Sequence, residues 1–182
     1  MSLLSLLKRS KAVVLERWCE LIIQSYPAHT SSFLKREKDR FQNPVGYTVT
    51  RETEELYDAL LDGSFDEVGS EALEGIIKIR SVQDFSPSQA IGFVFLLKRA
   101  IRERLTPEIQ QYDLYGQLHD FESVIDRLAL CTFDNYMHCR EKIFDIRVKE
   151  IKNETFRLRE LLNYPGKDIK SGPGPSVNND RS

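Results

Sequence analysis

Three histidines and three cysteines are the residues of this chain best suited to bind a metal ion or to act as nucleophiles. A zinc site needs about four converging nitrogen or sulfur ligands, usually with some of them in short-spaced pairs. Only His138 and Cys139 are close in sequence, and adjacent residues of a helix point about 100° apart. His29 and His119 lie far from them in sequence. We therefore expect no bound metal ion, and we expect histidines that lie at the surface or at helix ends.

Motifs typical of enzymes are not found. The sequence has no nucleophile elbow, no phosphate-binding glycine loop and no zinc-protease motif. Carboxylates are plentiful but alternate with Lys and Arg, so no pair suited to general acid or base catalysis is indicated. His119 is flanked by Asp120 and Glu122, which favours an exposed helix start over an apolar haem pocket. We predict that the protein is not an enzyme and carries no cofactor.

A locally positive segment, here called the basic patch, is either a cluster that stabilises a helix end or a surface for a partner. It comprises Lys98, Arg99, Arg102 and Arg104. Four positive charges so close together are able to bind an acidic partner or a phosphate. Basic residues near the end of a helix also interact favourably with the helix dipole. Both interpretations stay open.

The last helical segment carries a second candidate surface, here called the seam. Its residues are spaced alternately four and three apart and are Phe144, Val148, Ile151, Thr155, Leu158 and Leu162. This is the heptad pattern of a coiled coil. It predicts pairing with a second copy of the chain or docking on a partner protein. Packing against the chain's own helices would give similar spacing and stays an alternative.

The charges beside the seam favour self-pairing only weakly. In a parallel pair the facing residues would be Arg140 with Asp145, Arg147 with Lys152, and Glu154 with Arg159. Two of these contacts attract and one repels.

Helical periodicity extends over almost the whole chain and predicts an all-α fold. The predicted helices cover residues 2–25, 31–38, 44–62, 66–84, 87–105, a short one from 107, and a long one from about 117 to 163. Their boundaries follow from Tyr26-Pro27, Asn43-Pro44, Gly63, Ser86-Pro87 and Thr106-Pro107. The last helix is so long that part of it should leave the globule.

Two further expectations come from composition along the chain. In the helix over 66–84 the inward-facing residues should be Val68, Leu73, Ile76, Ile77, Ile79 and Val82. Residues 164–182 are rich in Gly and Pro and almost free of apolar residues, which predicts a disordered tail. A recruited peptide is the alternative for this tail.

The overall composition is that of an ordinary globular protein. The 182 residues are long enough to bury a core, and 41% are apolar and 30% charged. A net charge of −2 argues against binding nucleic acid. Cys19, Cys131 and Cys139 form no CxxC pair, which favours a reducing, cytoplasmic location. No apolar run is long enough to cross a bilayer.

Five segments taken in order carry a family resemblance. They are Tyr26-Pro27, FQNPVGY at 41–47, LYDALLDG at 56–63, IIKIRSVQDFSPSQA at 76–90 and FVFLLKRAIRERL at 93–105. Together they resemble the RsbRD-type N-terminal domain family of the RsbT co-antagonists, which are bacterial stress-signalling proteins. Tyr136, Arg140 and Glu141 fit the start of the family's last helix. The resemblance covers roughly residues 10–160 and consists of helix caps and core positions, not catalytic residues.

The resemblance implies a globin-like helical fold without haem and a sensory or regulatory role. In the larger co-antagonists, a linker helix joins such a domain to a C-terminal STAS domain that is phosphorylated and binds the switch kinase. This chain ends after the linker-like helix. We therefore expect a stand-alone sensory half that is not itself a stressosome core subunit.

The sequence thus predicts one globin-like bundle over residues 1–163 with a protruding C-terminal helix that makes the protein a homodimer. Its predicted function is non-enzymatic signal reception through contact with an unidentified protein partner. One alternative is a sensor that binds a small ligand or cofactor inside the bundle. Another is a helical accessory subunit of a larger complex, with only indirect membrane contact, which rests on Leu3, Leu4, Leu6 and Leu7.

Overall fold

The computed structural model describes residues 1–36, 41–82 and 85–162, and these ranges contain helices and turns but no β-strand. The helices are α1 (Leu3–Arg9), α2 (Lys11–Gln24), α3 (Ala28–Arg36), α4 (Pro44–Asp62), α5 (Phe65–Val82), α6 (Pro87–Ile91), α7 (Leu96–Gln111) and α8 (Tyr115–Leu162). The predicted all-α class is confirmed.

Helix starts and stops that depend on local chemistry lie where the sequence predicts them. The Asn43 side chain accepts a hydrogen bond from the Gly46 amide at 2.8 Å and caps α4. Gly63 ends the same helix in the left-handed conformation, with φ of 73°. Ser86 and Gln89 form a reciprocal capping box at the start of α6.

Three predicted boundaries are wrong. The helix predicted over 2–25 is divided at Ser10 into α1 and α2. The helix predicted over 87–105 is divided into α6 and α7 by a turn at 92–95. No new helix begins at Thr106-Pro107, because α7 continues through it. The Thr106 hydroxyl donates to the Arg102 carbonyl at 2.5 Å, which occupies a backbone acceptor close to the proline that lacks an N–H.

The outer limits of three other predictions fall partly outside the described residues. The helix predicted over 66–84 is α5, which begins at Phe65 and is described to Val82. The short helix predicted over 31–38 is α3, which begins earlier, at Ala28, and is described to Arg36. The long helix begins at Tyr115 and is described to Leu162. The tail predicted over 164–182 lies outside the described residues.

Buried polar groups of the core side chains are joined to backbone carbonyls of distant helices. Trp18 is fully buried, and its indole nitrogen donates to the Phe93 carbonyl at 2.8 Å. The Tyr57 hydroxyl donates to the Leu7 carbonyl at 3.2 Å, and burial raises the pKa of this phenol. These bonds fix α2 and α4 relative to their neighbours, because a buried donor without an acceptor is costly.

The N-terminal leucines belong mostly to this core. Leu3, Leu6 and Leu7 are buried, and only Leu4 is exposed. Burial of each such side chain contributes about 1.5–3 kcal/mol to folding. Most of the N-terminal leucines, on which the accessory-subunit alternative rests, are therefore buried in the core of the chain itself.

The chain divides into two compact units, Met1–Ile143 and Phe144–Ser182. Helix α8 contributes residues 115–143 to the first unit and residues 144–162 to the second. Among the described helices, none combines the length and the apolar character required to cross a membrane.

Replacement of Gly63 by Ala should lower the free energy of unfolding by about 1–2 kcal/mol, because an L-residue is strained at positive φ. A methyl group at this position would meet no other atom within 4 Å, so the effect isolates the backbone. Urea unfolding followed by circular dichroism measures it.

Gly116→Ala is the matched control. Its added methyl group also meets nothing within 4 Å, but Gly116 lies within α8 at ordinary φ. Its free energy of unfolding should stay unchanged or rise by up to about 1 kcal/mol. Equal effects of the two substitutions would contradict a left-handed residue at the end of α4.

Candidate functional site

Helix α8 has a buried stripe in the first unit. The stripe residues recur at helical spacing and are Leu118, Phe121, Ile125, Leu128, Ala129, Thr132 and Tyr136. The Arg140 side chain then donates to the Ser81 carbonyl at 3.1 Å. The Leu3 amide donates to the Gln117 side chain at 2.8 Å near the other end. The first half of α8 is thus held along its length.

The seam lies in the second unit and is largely exposed. Phe144, Ile151, Leu158 and Leu162 are between 60% and 84% exposed, Thr155 is also exposed and Val148 is half-buried. Large apolar side chains recurring along one face of a soluble helix are typical of an interaction surface. The exposure of these residues gives no support to the alternative that they pack within the chain.

The seven-residue spacing extends further than the seam that the sequence analysis recognised. Counting back from Phe144 by sevens reaches Met137 and Leu130, which are exposed by 38% and 68%. They follow the buried Tyr136 and Ala129 directly, so they lie about 100° around the helix from the core-facing stripe. The repeat of apolar residues at intervals of seven was visible in the sequence, but the buried stripe obscured it.

Most of the basic patch is paired with carboxylates of the same chain. Lys98 contacts Asp126 at 2.6 Å, and Arg102 contacts both carboxylate oxygens of the buried Glu122 at 2.7 Å. Arg99 contacts Glu103 at 2.6 Å. These ion pairs neutralise three of the four charges.

The position of the basic patch also differs from the prediction. It lies within the first nine of the 16 residues of α7 and not at the end of a helix, because α7 continues to Gln111. The helix-dipole explanation of these residues is therefore wrong. Glu103 also accepts a hydrogen bond from Arg17 of α2 at 2.6 Å, and the bonds from Arg17 and Arg99 lower the pKa of this carboxyl. The patch helps to join α2, α7 and α8, and its use by a partner stays a prediction.

A cluster around Arg80 was missed by sequence analysis. Arg80 is 0% exposed, although it carries a guanidinium group. One terminal nitrogen donates to the Gln89 carbonyl at 2.9 Å and the other to the Ser25 hydroxyl at 3.3 Å. The guanidinium carbon lies 5.1, 5.1 and 5.2 Å from the ring centres of Tyr26, Phe85 and Phe93.

The polar groups of this cluster are incompletely satisfied. Among the described residues Arg80 forms no ion pair, and neither its Nε nor the buried Tyr26 hydroxyl has a hydrogen-bond partner. Burial lowers the pKa of Arg80 and raises the pKa of Tyr26, while the nearby positive charge partly opposes the latter shift.

The energy of burying Arg80 has a favourable and an unfavourable part. Each desolvated cation–π contact contributes about 2 kcal/mol of stabilisation. An unpaired buried charge costs several kcal/mol.

The face of α5 was predicted incorrectly at this point. Leu73, Ile76 and Ile77 are buried as predicted and Ile79 is half-buried. Val82, predicted to face inward, is 70% exposed, and Arg80 and Ser81 are buried instead. The side chain of Val68 lies outside the part of the chain that the structure describes. A charged residue is normally assigned to the surface, and the burial of Arg80 depends on the three rings and on its hydrogen bonds to Gln89 and Ser25.

Histidines and cysteines form no cluster that would bind a metal ion within the described ranges. His29, His119 and His138 are all exposed. The three cysteines are free thiols, and Cys131 is the exposed one. Burial raises the pKa of the Cys19 thiol, which therefore stays protonated and poorly reactive.

Comparison with known proteins gives one family and one relative. Residues 12–150 match the family described as RsbT co-antagonist protein rsbRD N-terminal domain. The chain is also similar to an uncharacterized protein of Archaeoglobus fulgidus, with 24% identity over 163 residues that cover 87% of this chain and 95% of that protein. No solved structure matches the chain.

Replacement of Arg102 by Met should lower the free energy of unfolding by about 1 kcal/mol, because the buried Glu122 would lose both hydrogen bonds from the guanidinium group. The cost is moderate since Arg102 itself is largely exposed. Denaturant unfolding measures the change.

Arg104→Met is the control, because Arg104 is exposed and forms no ion pair with any described residue. It should leave the free energy of unfolding unchanged. If both variants are equally stable, the Arg102–Glu122 contact does not support the packing of α7 against α8.

Proposed function

The chain belongs to the rsbRD N-terminal domain family of RsbT co-antagonist proteins, and on this basis we propose that it acts by protein–protein contact through the seam of α8. Membership of this family indicates a regulatory module in stress signalling. A non-enzymatic role is proposed with it, because no group of described residues has the arrangement of a catalytic site. The observation that carries the proposal is the exposure of the seam.

A second copy of the chain is the occupant that the seam fits best. In heptad register the first core position holds Val148, Thr155 and Leu162, and the other holds Phe144, Ile151 and Leu158. Val148 and Thr155 are β-branched, and β-branched residues at the first position favour two parallel strands. Four of the six side chains are apolar and strongly exposed, so pairing would remove apolar surface that folding leaves in water.

The charges beside the seam allow this pairing without enforcing it. The Arg140–Asp145 and Glu154–Arg159 contacts of a parallel pair attract, and the contact of Arg147 with Lys152 repels. A weak dimer, which exchanges readily for pairing with a partner of similar register, suits a signalling module.

Helix α8 supplies a physical route for a signal. Its residues 115–143 are part of the first unit and residues 144–162 carry the seam. A change in the packing of Leu118, Phe121 or Ile125 would shift this part of α8, because packed helices move between discrete positions rather than deforming continuously. We propose that such displacements alter the pairing of the seam. A globin-like arrangement of the helices remains part of this proposal.

The double variant Val148→Asp, Ile151→Asp should be a folded monomer, whereas the unmodified protein should be a dimer. Two carboxylates per chain placed in an apolar seam should raise the dissociation constant at least ~100-fold, or about 2.7 kcal/mol. Sedimentation equilibrium measures the change, and circular dichroism checks that the helix content is retained.

The matched control is Ile146→Asp, Phe156→Asp. Both residues are exposed by more than half on the same helix but fall outside the two core positions of the heptad. This variant adds the same charge and removes similar apolar surface, so it should remain a dimer. If the unmodified protein is a monomer, or if both variants dissociate equally, the seam is not a self-pairing surface.

A further inference from the structure

An open cavity of about 500 Å³ lies beside the buried Arg80 cluster. Its lining residues are Ser25, Tyr26, Pro27, His29, Thr30, Phe85 and Gln89. Four of them, Ser25, Tyr26, Phe85 and Gln89, are also in direct contact with the Arg80 guanidinium group. Arg80 itself is fully buried and does not line the cavity, so its charge lies behind these four residues.

The cluster has donors without acceptors next to this space. The described residues around the Arg80 side chain supply it only with neutral acceptors and aromatic rings. Arg80 and Tyr26 interact with each other, but neither the Nε–H nor the Tyr26 hydroxyl makes a hydrogen bond of good geometry. Tyr26 lines the cavity and is 95% buried. Buried polar groups in folded proteins are almost always hydrogen-bonded, so two adjacent exceptions indicate a missing acceptor.

We infer that this cavity binds a small organic carboxylate. A carboxylate supplies both the negative charge that Arg80 lacks and the acceptor oxygens that the guanidinium and Tyr26 lack. The rings of Tyr26 and Phe85 provide an apolar surface for the remainder of the ligand. The cavity volume lies within the range of small-molecule sites.

Ser25 is the point at which the ligand reaches the guanidinium. Its hydroxyl accepts the longer of the two Arg80 hydrogen bonds, at 3.3 Å, and itself donates to the Ile22 carbonyl at 2.6 Å. A carboxylate oxygen can accept this guanidinium N–H once the Ser25 hydroxyl moves away from it. The exchange replaces a long hydrogen bond to a neutral acceptor with one to a charged acceptor.

This inference deepens the proposed function, since it names the chemical class of signal that a regulatory module of this family would receive. The role of the ligand as a signal rests on the proposed function, but binding of the ligand does not depend on pairing of the seam. The site therefore has a test that is separate from the oligomeric state.

Benzoate is the probe, with benzamide as the neutral analogue of the same shape. Isothermal titration calorimetry on the full chain should show saturable binding of benzoate, and benzamide should bind at least ~10-fold more weakly because it cannot pair with the Arg80 charge. Amide chemical shifts of the ¹⁵N-labelled protein should change upon benzoate addition at residues 25–30 and 85–92.

Two variants test the site without removing Arg80, whose loss risks unfolding the core. Thr30→Trp fills the cavity and leaves the hydrogen bonds of Arg80 to Gln89 and Ser25 in place, so it should abolish benzoate binding. Tyr26→Phe removes only the hydroxyl and should weaken benzoate several-fold and benzamide less, because the charged carboxylate is the stronger acceptor. Tyr112→Trp adds a tryptophan at an exposed residue that does not line the cavity and should bind benzoate normally.

The inference is overturned if benzoate and benzamide bind equally, if benzoate does not saturate, or if Thr30→Trp retains binding. The monomeric variant Val148→Asp, Ile151→Asp should bind benzoate like the unmodified protein. Retained binding in that variant, or in a wild-type protein that proves to be a monomer, would separate failure of the pairing proposal from failure of this site.

Discussion

Packing of α8 between Leu118 and Tyr136 constrains the rest of the structure, because this stripe closes the core against the helices that precede it. A helix can bury one stripe in this way while residues about 100° around it stay in water. Leu130 and Met137 occupy that second position, next to the buried Ala129 and Tyr136. The same spacing of seven recurs in the seam. Apolar surface that the core does not bury is thus exposed at both places.

Arg80 is the opposite case, because here a charged side chain is buried in the core. Rings of Tyr26, Phe85 and Phe93 surround the guanidinium and offset part of the cost of removing it from water. Two donors remain without acceptors beside an open cavity. If Arg80 had only a structural role, an apolar side chain at this position would stabilise the fold more than a buried charge does. A group that is incomplete until an anion arrives is, by contrast, suited to sensing.

Sequence reasoning was successful where the structure depends on neighbouring residues and failed where it depends on distant ones. The caps at Asn43, Gly63 and Ser86 are local and were predicted correctly. Thr106-Pro107 predicts a helix start, but α7 continues through Pro107 to Gln111. The carboxylates that neutralise Lys98 and Arg102 lie 28 and 20 residues away, and no spacing rule identifies such partners. Two of the three rings around Arg80, those of Tyr26 and Phe93, likewise come from other parts of the chain.

Pairing of two seams in parallel is the central claim, and intermolecular disulfide formation tests it most directly. With the exposed Cys131 replaced by serine, Leu158→Cys places a thiol at a core position of the heptad, whereas Phe156→Cys places one on the outer face of the same helix. Under mild oxidation the account predicts rapid cross-linking of Leu158→Cys and little of Phe156→Cys. Equal cross-linking of both variants, or none at Leu158→Cys, would contradict it.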